Sequence, residues 1–186
     1  LYTSLLMGHL WNDSQGLQWG RPELRDNRLS ISGESRRFPF VEHWEIELKE
    51  GVLLLRIWLE AKKPLQVEEY HTSVALVPAY TGWSTGHESG DFPAIEENTH
   101  TWQHQNENYA TGKTLFALSP ELPSVTIENL SEDVLVRMTA VNTGFEQNAR
   151  VLQALRTPQS GLLHFDTGRH LYFDGLIRID DAAGPV

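Results

Sequence analysis

The chain has 186 residues, no cysteine, and 15 Lys and Arg against 25 Asp and Glu, for a formal charge of −10. That length closes one hydrophobic core or a small pair of them, and 40% apolar residues with a mean hydropathy of −0.37 and no apolar run of spanning length exclude a disordered polyelectrolyte and a helical membrane protein. A pI near 5.2 argues against nucleic acid, whose binding needs clustered cations, and zero cysteines remove disulfides, thiolate nucleophiles and Cys-based zinc sites while fixing no compartment.

Residues 1–10 begin at Leu1 and lack the basic region of a signal peptide, so a processed or excised piece of a larger protein is expected. Asp26-Asn27 is a turn signal ahead of a short strand at 29–31. Trp44, Ile46 and Leu48 alternate with Glu45, Glu47 and Lys49, the pattern of a half-buried strand. Glu50-Gly51 then turns the chain into 52–59, whose apolar residues on both faces predict a central strand. Further strands are expected at 65–77, 115–118, 125–128 and 134–141. Thr143 and Glu146 have capping-box spacing, and Phe145, Ala149, Leu152 and Leu155 share one helical face before Pro158, which predicts a short helix within 145–156. The apolar run 151–155 reads equally as a strand. The last third predicts an antiparallel meander of three strands, 162–165, 169–173 and 176–179, separated by Asp166-Thr167-Gly168 and by Asp174-Gly175, the second a type I′ hairpin signal. Strands joined by turns, without a strand–helix rhythm, predict a single all-β domain, an antiparallel β-sandwich of jelly-roll or related topology.

Residues 78–114 interrupt that rhythm; a connection so long is usually functional or disordered, and its aromatics argue against disorder. They hold Tyr80, Trp83, Phe92, Trp102 and Tyr109, with His87, His100 and His104 and an amide-rich run that includes Asn106. From Pro64 through Gly112 there is no Lys or Arg but seven acids, Glu68, Glu69, Glu88, Asp91, Glu96, Glu97 and Glu107. Flat aromatics beside acids and amides suit a neutral carbohydrate, whose C–H faces lie on rings and whose hydroxyls pair with polar groups. Oxygen ligands in a loop also suit calcium, and an acidic apron suits a basic protein partner. As plain packing, the same aromatics would form a small cluster under an acidic loop.

Three functions compete. The first is a carbohydrate-binding module of a larger carbohydrate-active protein, with Trp83 and Trp102 as stacking platforms, Tyr80 and Tyr109 as secondary ones, and Glu88, Asp91, Asn106 and Glu107 as hydrogen-bonding groups. The second is a glycoside hydrolase or polysaccharide lyase on the same scaffold, with Glu69, His71, His104 and Glu107 as acid/base candidates; a hydrolase needs two carboxylates roughly 5 to 9.5 Å apart. Glu45 with Glu47, and Arg21, Arg25 and Arg28 near Glu23, are weaker alternatives of the same kind. The third is a structural domain that packs against other domains or subunits of a parent protein. His100-x-Trp102-x-His104 could ligate a metal, with His87, His71 or Glu107 as third ligand, but matches no recognised zinc motif, and no serine-hydrolase or nucleotide motif is present. Asn12 and Asn129 fit the glycosylation sequon, a pattern short enough to arise by chance.

Overall fold

Alternating apolar and polar residues put one face of a strand in a core and the other in solvent, and that pattern organises nearly the whole chain. A computed structural model describes residues 1–95, 101–106, 112–133, 135–145 and 148–181. It begins with β1 (Tyr2–Met7) and β2 (Leu10–Asp13), a 3-10 turn at Ser14–Gly16, and the short strands β3 (Gln18–Trp19) and β4 (Glu23–Arg25). Then come β5 (Arg28–Glu34), β6 (Phe40–Lys49), β7 (Val52–Ala61), β8 (Leu65–Val67) and β9 (Glu69–Leu76). Three short strands, β10 (Gly82–Ser84), β11 (Ser89–Asp91) and β12 (Trp102–His104), occupy the middle. The last third holds β13 (Thr114–Leu118), β14 (Ser124–Asn129), β15 (Val136–Thr143), β16 (Ala149–Arg156), β17 (Leu163–Phe165) and β18 (Gly168–Asp180).

The expected antiparallel β-sandwich forms. One sheet runs β12-β15-β16-β9-β1-β2; the other has ten strands in the order β11-β10-β13-β14-β18-β7-β6-β5-β3, with β4 also on β5, and β17 pairs with β8. Leu5, Leu55, Ile57, Leu59, Leu115, Ile127, Met138 and Leu152 are sealed between the two large sheets. The β6–β7 hairpin turns at Glu50 and Gly51, with φ of 51° and 81°, the two positive values that a type I′ turn requires.

Three local expectations are corrected. The helix within 145–156 is strand β16, buried on both faces and paired with β15 and β9; two-sided burial makes a strand read as an unbroken apolar run. Asp174-Gly175 makes no turn, because β18 runs straight through it. Glycine is there for close approach: a Cβ at Gly175 would lie 2.3 Å from the Glu128 carbonyl oxygen and 2.4 Å from Phe173 Cζ. The single strand expected at 65–77 is two, broken at Glu68, with β8 in the small sheet and β9 in the six-stranded one.

Candidate functional site

In the six-stranded sheet, Thr3, Leu5, Val74, Met138 and Leu152 face the core, so the intervening residues face outward. Strand pairing then brings distant residues together on that outer face. Ser4 stands opposite both His71 and Asp13, Tyr2 opposite Ser73, Ser73 opposite Gln153, and Gln153 opposite Thr139. On β12, Trp102 and His104 are two residues apart and so project to the same side, opposite Thr143 and Val141. Of these, Tyr2, Ser4, Asp13, His71, Trp102, His104, Thr143 and Gln153, together with Trp11 and Glu69, line a cavity of about 550 Å³.

The cavity has aromatic walls and a polar floor. The His71 ring lies 5.2 Å from Trp11, 6.3 Å from Tyr2 edge-on, and 6.4 Å from Trp102 at an interplanar angle of 32°. His71 Nδ1 is 3.0 Å from Ser73 Oγ, which also accepts the Gln153 amide at 3.3 Å. Burial, and secondarily the nearby His104, pushes His71 down to about 3, so its ring is neutral at physiological pH. His104 Nδ1 is 3.0 Å from Thr139 Oγ1, and burial lowers its pKa as well. Burial raises Glu69, with the Glu68 charge beside it adding to the effect. The Ser4 hydroxyl donates to Asp13. From the core side, the Tyr172 hydroxyl lies 2.8 Å from the Ser4 carbonyl and 3.1 Å from the His71 carbonyl, pinning the adjacent strands β1 and β9 beneath the floor. The arrangement offers neutral imidazoles, a carboxyl with raised proton affinity, a second carboxyl and two partly open indoles. It can hydrogen-bond hydroxyls and cover an apolar face, and it can move protons.

Of the residues singled out by sequence, Glu69, His71, Trp102 and His104 meet in this cavity, and Trp102 keeps 37% of its surface exposed. Others do not. Trp83 is 4% exposed in the core and Tyr80 is buried with its hydroxyl donating to the Pro123 carbonyl at 2.7 Å, so neither indole nor phenol is an open platform. Glu88 and Asp91 belong to the β10–β11 hairpin at the edge of the ten-stranded sheet and line no part of the cavity. Asn106 is buried, with its amide engaged by the β15 backbone. Glu107 and Tyr109, like His100, lie outside the described residues. Glu45 and Glu47 sit 3.9 and 3.0 Å from Arg28, and Glu23 pairs with Arg25, so these are ion pairs on the ten-stranded sheet. Among the described residues no three His, Asp or Glu come together as metal ligands, which leaves the calcium expectation without a site there. A second depression of about 760 Å³, walled by Phe38, Pro39, Leu65 and Leu162, gathers none of the candidates.

Trp11, Asp13 and Gln153 were missed. The signal was present in the alternation of Trp11 and Asp13 in a short N-terminal strand, but only the β1–β9 pairing across nearly 70 residues carries it to His71.

No protein-family model matches the chain, and no curated protein matches it in sequence. Solved structures do resemble it. The Slr1438 protein of Synechocystis sp. PCC 6803 superposes with a TM-score of 0.51 at 11% identity, over 89% of this chain and 66% of that one, slightly under two thirds of its length. A putative aldose 1-epimerase from Escherichia coli K12 gives 0.53 at 13% identity, over 88% of this chain and 69% of that one. The GH36 α-galactosidase AgaB of Geobacillus stearothermophilus gives 0.57 at 11% identity, over 97% of this chain but only 30% of the enzyme. At these identities what the chain shares with the three proteins is the β-sandwich fold.

Proposed function

We propose that the outer face of the six-stranded sheet binds a carbohydrate, and that the chain is a carbohydrate-binding domain of a larger carbohydrate-active protein. The observation that carries this reading is the convergence of Trp11 and Trp102 on either side of His71, above Asp13, Glu69, His104 and Gln153, in one cavity. A pyranose has an apolar face and a rim of hydroxyls, and this site offers rings for the one and donors and acceptors for the other. Two structural neighbours named for sugar chemistry, the putative aldose 1-epimerase and the much longer α-galactosidase, support the reading. Trp102→Ala should weaken glycan binding about tenfold, the loss of one aromatic contact, with the thermal transition unchanged because the indole is partly open. A glycan array followed by titration of the best ligand measures it; undiminished binding by both Trp102→Ala and Trp11→Ala variants would refute the site.

A second reading, acid/base chemistry on the bound sugar, is favoured by one specific observation: Glu69, with raised proton affinity, shares the cavity with two histidines that burial keeps neutral. Turnover on a saccharide panel should then be abolished in Glu69→Gln with binding retained, and the wild-type rate should titrate with a carboxyl above the ordinary glutamate range. Unchanged turnover in that variant would leave binding alone.

A further inference from the structure

β12 carries Trp102 and His104 into the cavity wall, yet it is an edge strand of three residues, paired among the described residues with β15 alone. Its ladder with β15 continues through the Gln105 N–H, which donates to the Ala140 carbonyl at 2.8 Å. The next two rungs come from a side chain. The Asn106 amide accepts the Ala140 N–H on Oδ1 at 3.0 Å and donates Nδ2–H to the Met138 carbonyl at 2.8 Å. A carboxamide has the acceptor and the donor of a peptide group, so Asn106 supplies what a further length of strand would. The Thr139 hydroxyl donates to the same Oδ1 at 3.0 Å. Met138, Thr139 and Ala140 are fully buried and Asn106 is 2% exposed. Removing the amide would therefore leave a buried N–H and a buried carbonyl unpaired, the costly way to lose a hydrogen bond.

We propose that Asn106 is a positioning residue for the sugar site, its amide locking the exit of β12 onto β15 so that Trp102 stays in the cavity wall. The Trp102 indole is 37% exposed and its ring stands 6.4 Å from His71, so its place is set by the backbone beneath it more than by packing. A short edge strand without its anchor frays, and Trp102 lies within one turn of ladder from that anchor. The same role explains why Asn106, an amide suited to a sugar contact, turns inward instead. The effect on sugar affinity rests on the carbohydrate reading; the strand anchor does not.

Hydrogen exchange of the ligand-free protein reads the anchor directly. The Ala140 amide should exchange slowly in the wild type; exchange at the rate of an open amide, a measurement that needs no variant, overturns the anchor. In Asn106→Ala the Ala140 and Gln105 amides should exchange at least about tenfold faster with those of β9 unchanged, and the Trp102 indole N–H resonance should move while that of Trp83 stays. Unchanged exchange or an unmoved Trp102 signal overturns the proposal. In the second arm, Asn106→Ala should lower affinity for the best glycan by about tenfold, and the double variant with Trp102→Ala should bind no more weakly than the weaker single one, because both remove the same contact. Additive losses would show that Asn106 does not act through Trp102. Asn106→Asp supplies the rescue: a protonated carboxyl has both groups of the amide, whereas a carboxylate has no hydrogen for the Met138 carbonyl. Measured against wild type at each pH, that variant should bind normally near about pH 5 and approach the alanine variant near about pH 8. A ratio that ignores pH overturns the role of the donor. No binding of any sugar by a wild type whose Ala140 amide is protected overturns the carbohydrate reading and the affinity effect built on it, while the anchor stands.

Discussion

Replacing Trp83 with alanine should lower the unfolding free energy by about 3–5 kcal/mol, the cost of emptying a large aromatic site in a core. The indole is 4% exposed and sits on β10, where its neighbours in register are Gly90 on β11 and Ala117 on β13. Gly90 makes room for it: a Cβ there would lie 2.9 Å from Trp83 Cζ2. Both small partners are therefore matched to one large ring, and alanine would leave a void that strands of three residues each can close only by giving up their pairing. Losses of this size are a large part of the stability of a domain. Chemical denaturation measures the loss. Because Trp83 belongs to the ten-stranded sheet, the folded variant should keep its sugar affinity; a variant within about 1 kcal/mol of wild type that loses binding would return Trp83 to the ligand site.

Glu42 should make the protein less stable as pH rises. Its carboxyl is fully buried on the core face of β6, where the Thr3 hydroxyl approaches one oxygen at 2.7 Å from the facing sheet and the Trp44 indole N–H donates to the same oxygen at 2.8 Å. Desolvation outweighs those two hydrogen bonds, the Asp13 charge adds to it, and the group is pushed up to about 7 from 4.5. A carboxyl that binds its proton more tightly in the folded state contributes stability that is complete below pH 4.5 and is lost as pH climbs through 7. The displacement corresponds to about 3 kcal/mol. His71 acts in the opposite sense: held at about 3 against an ordinary 6.5, it contributes above pH 6.5 and loses that contribution as pH falls. The stability curve should therefore be a dome with its top on the acid side of neutrality. Glu42→Gln, which keeps an acceptor for Trp44, should flatten the alkaline limb and exceed wild type by about 2–3 kcal/mol at pH 8. Denaturation series between about pH 4.5 and 8 decide it; parallel curves for variant and wild type would show that Glu42 does not titrate in this range.

The sandwich was readable because alternation at 44–49, the apolar strand at 52–59 and the Glu50-Gly51 turn are local signals that the fold obeys. The same kind of signal failed where a residue served long-range packing. Gly175 resembles a hairpin glycine but is small so that β14 and Phe173 can approach, and residues 149–156 resemble a helix because β16 is apolar toward both the core and the cavity. At the site, residue chemistry picked out Glu69, His71, Trp102 and His104. Their gathering depends on the β9–β16–β15–β12 order, and Asp13 and Trp11 join only through β1, which no local pattern encodes. Trp83 has the same chemistry as Trp102, and only sheet placement separates them: one side chain points into the core, the other stands on the outer face.

The chain has six tryptophans, and their indole N–H resonances give each a separate report. A titration with the best ligand from a neutral glycan panel, followed on those six signals, tests the cavity most directly. Shifts concentrated at Trp11 and Trp102, with Trp19, Trp44, Trp58 and Trp83 still, are the predicted outcome. Perturbation centred on Trp58 or Trp83, or six unmoved signals in the presence of a ligand that binds, would contradict it.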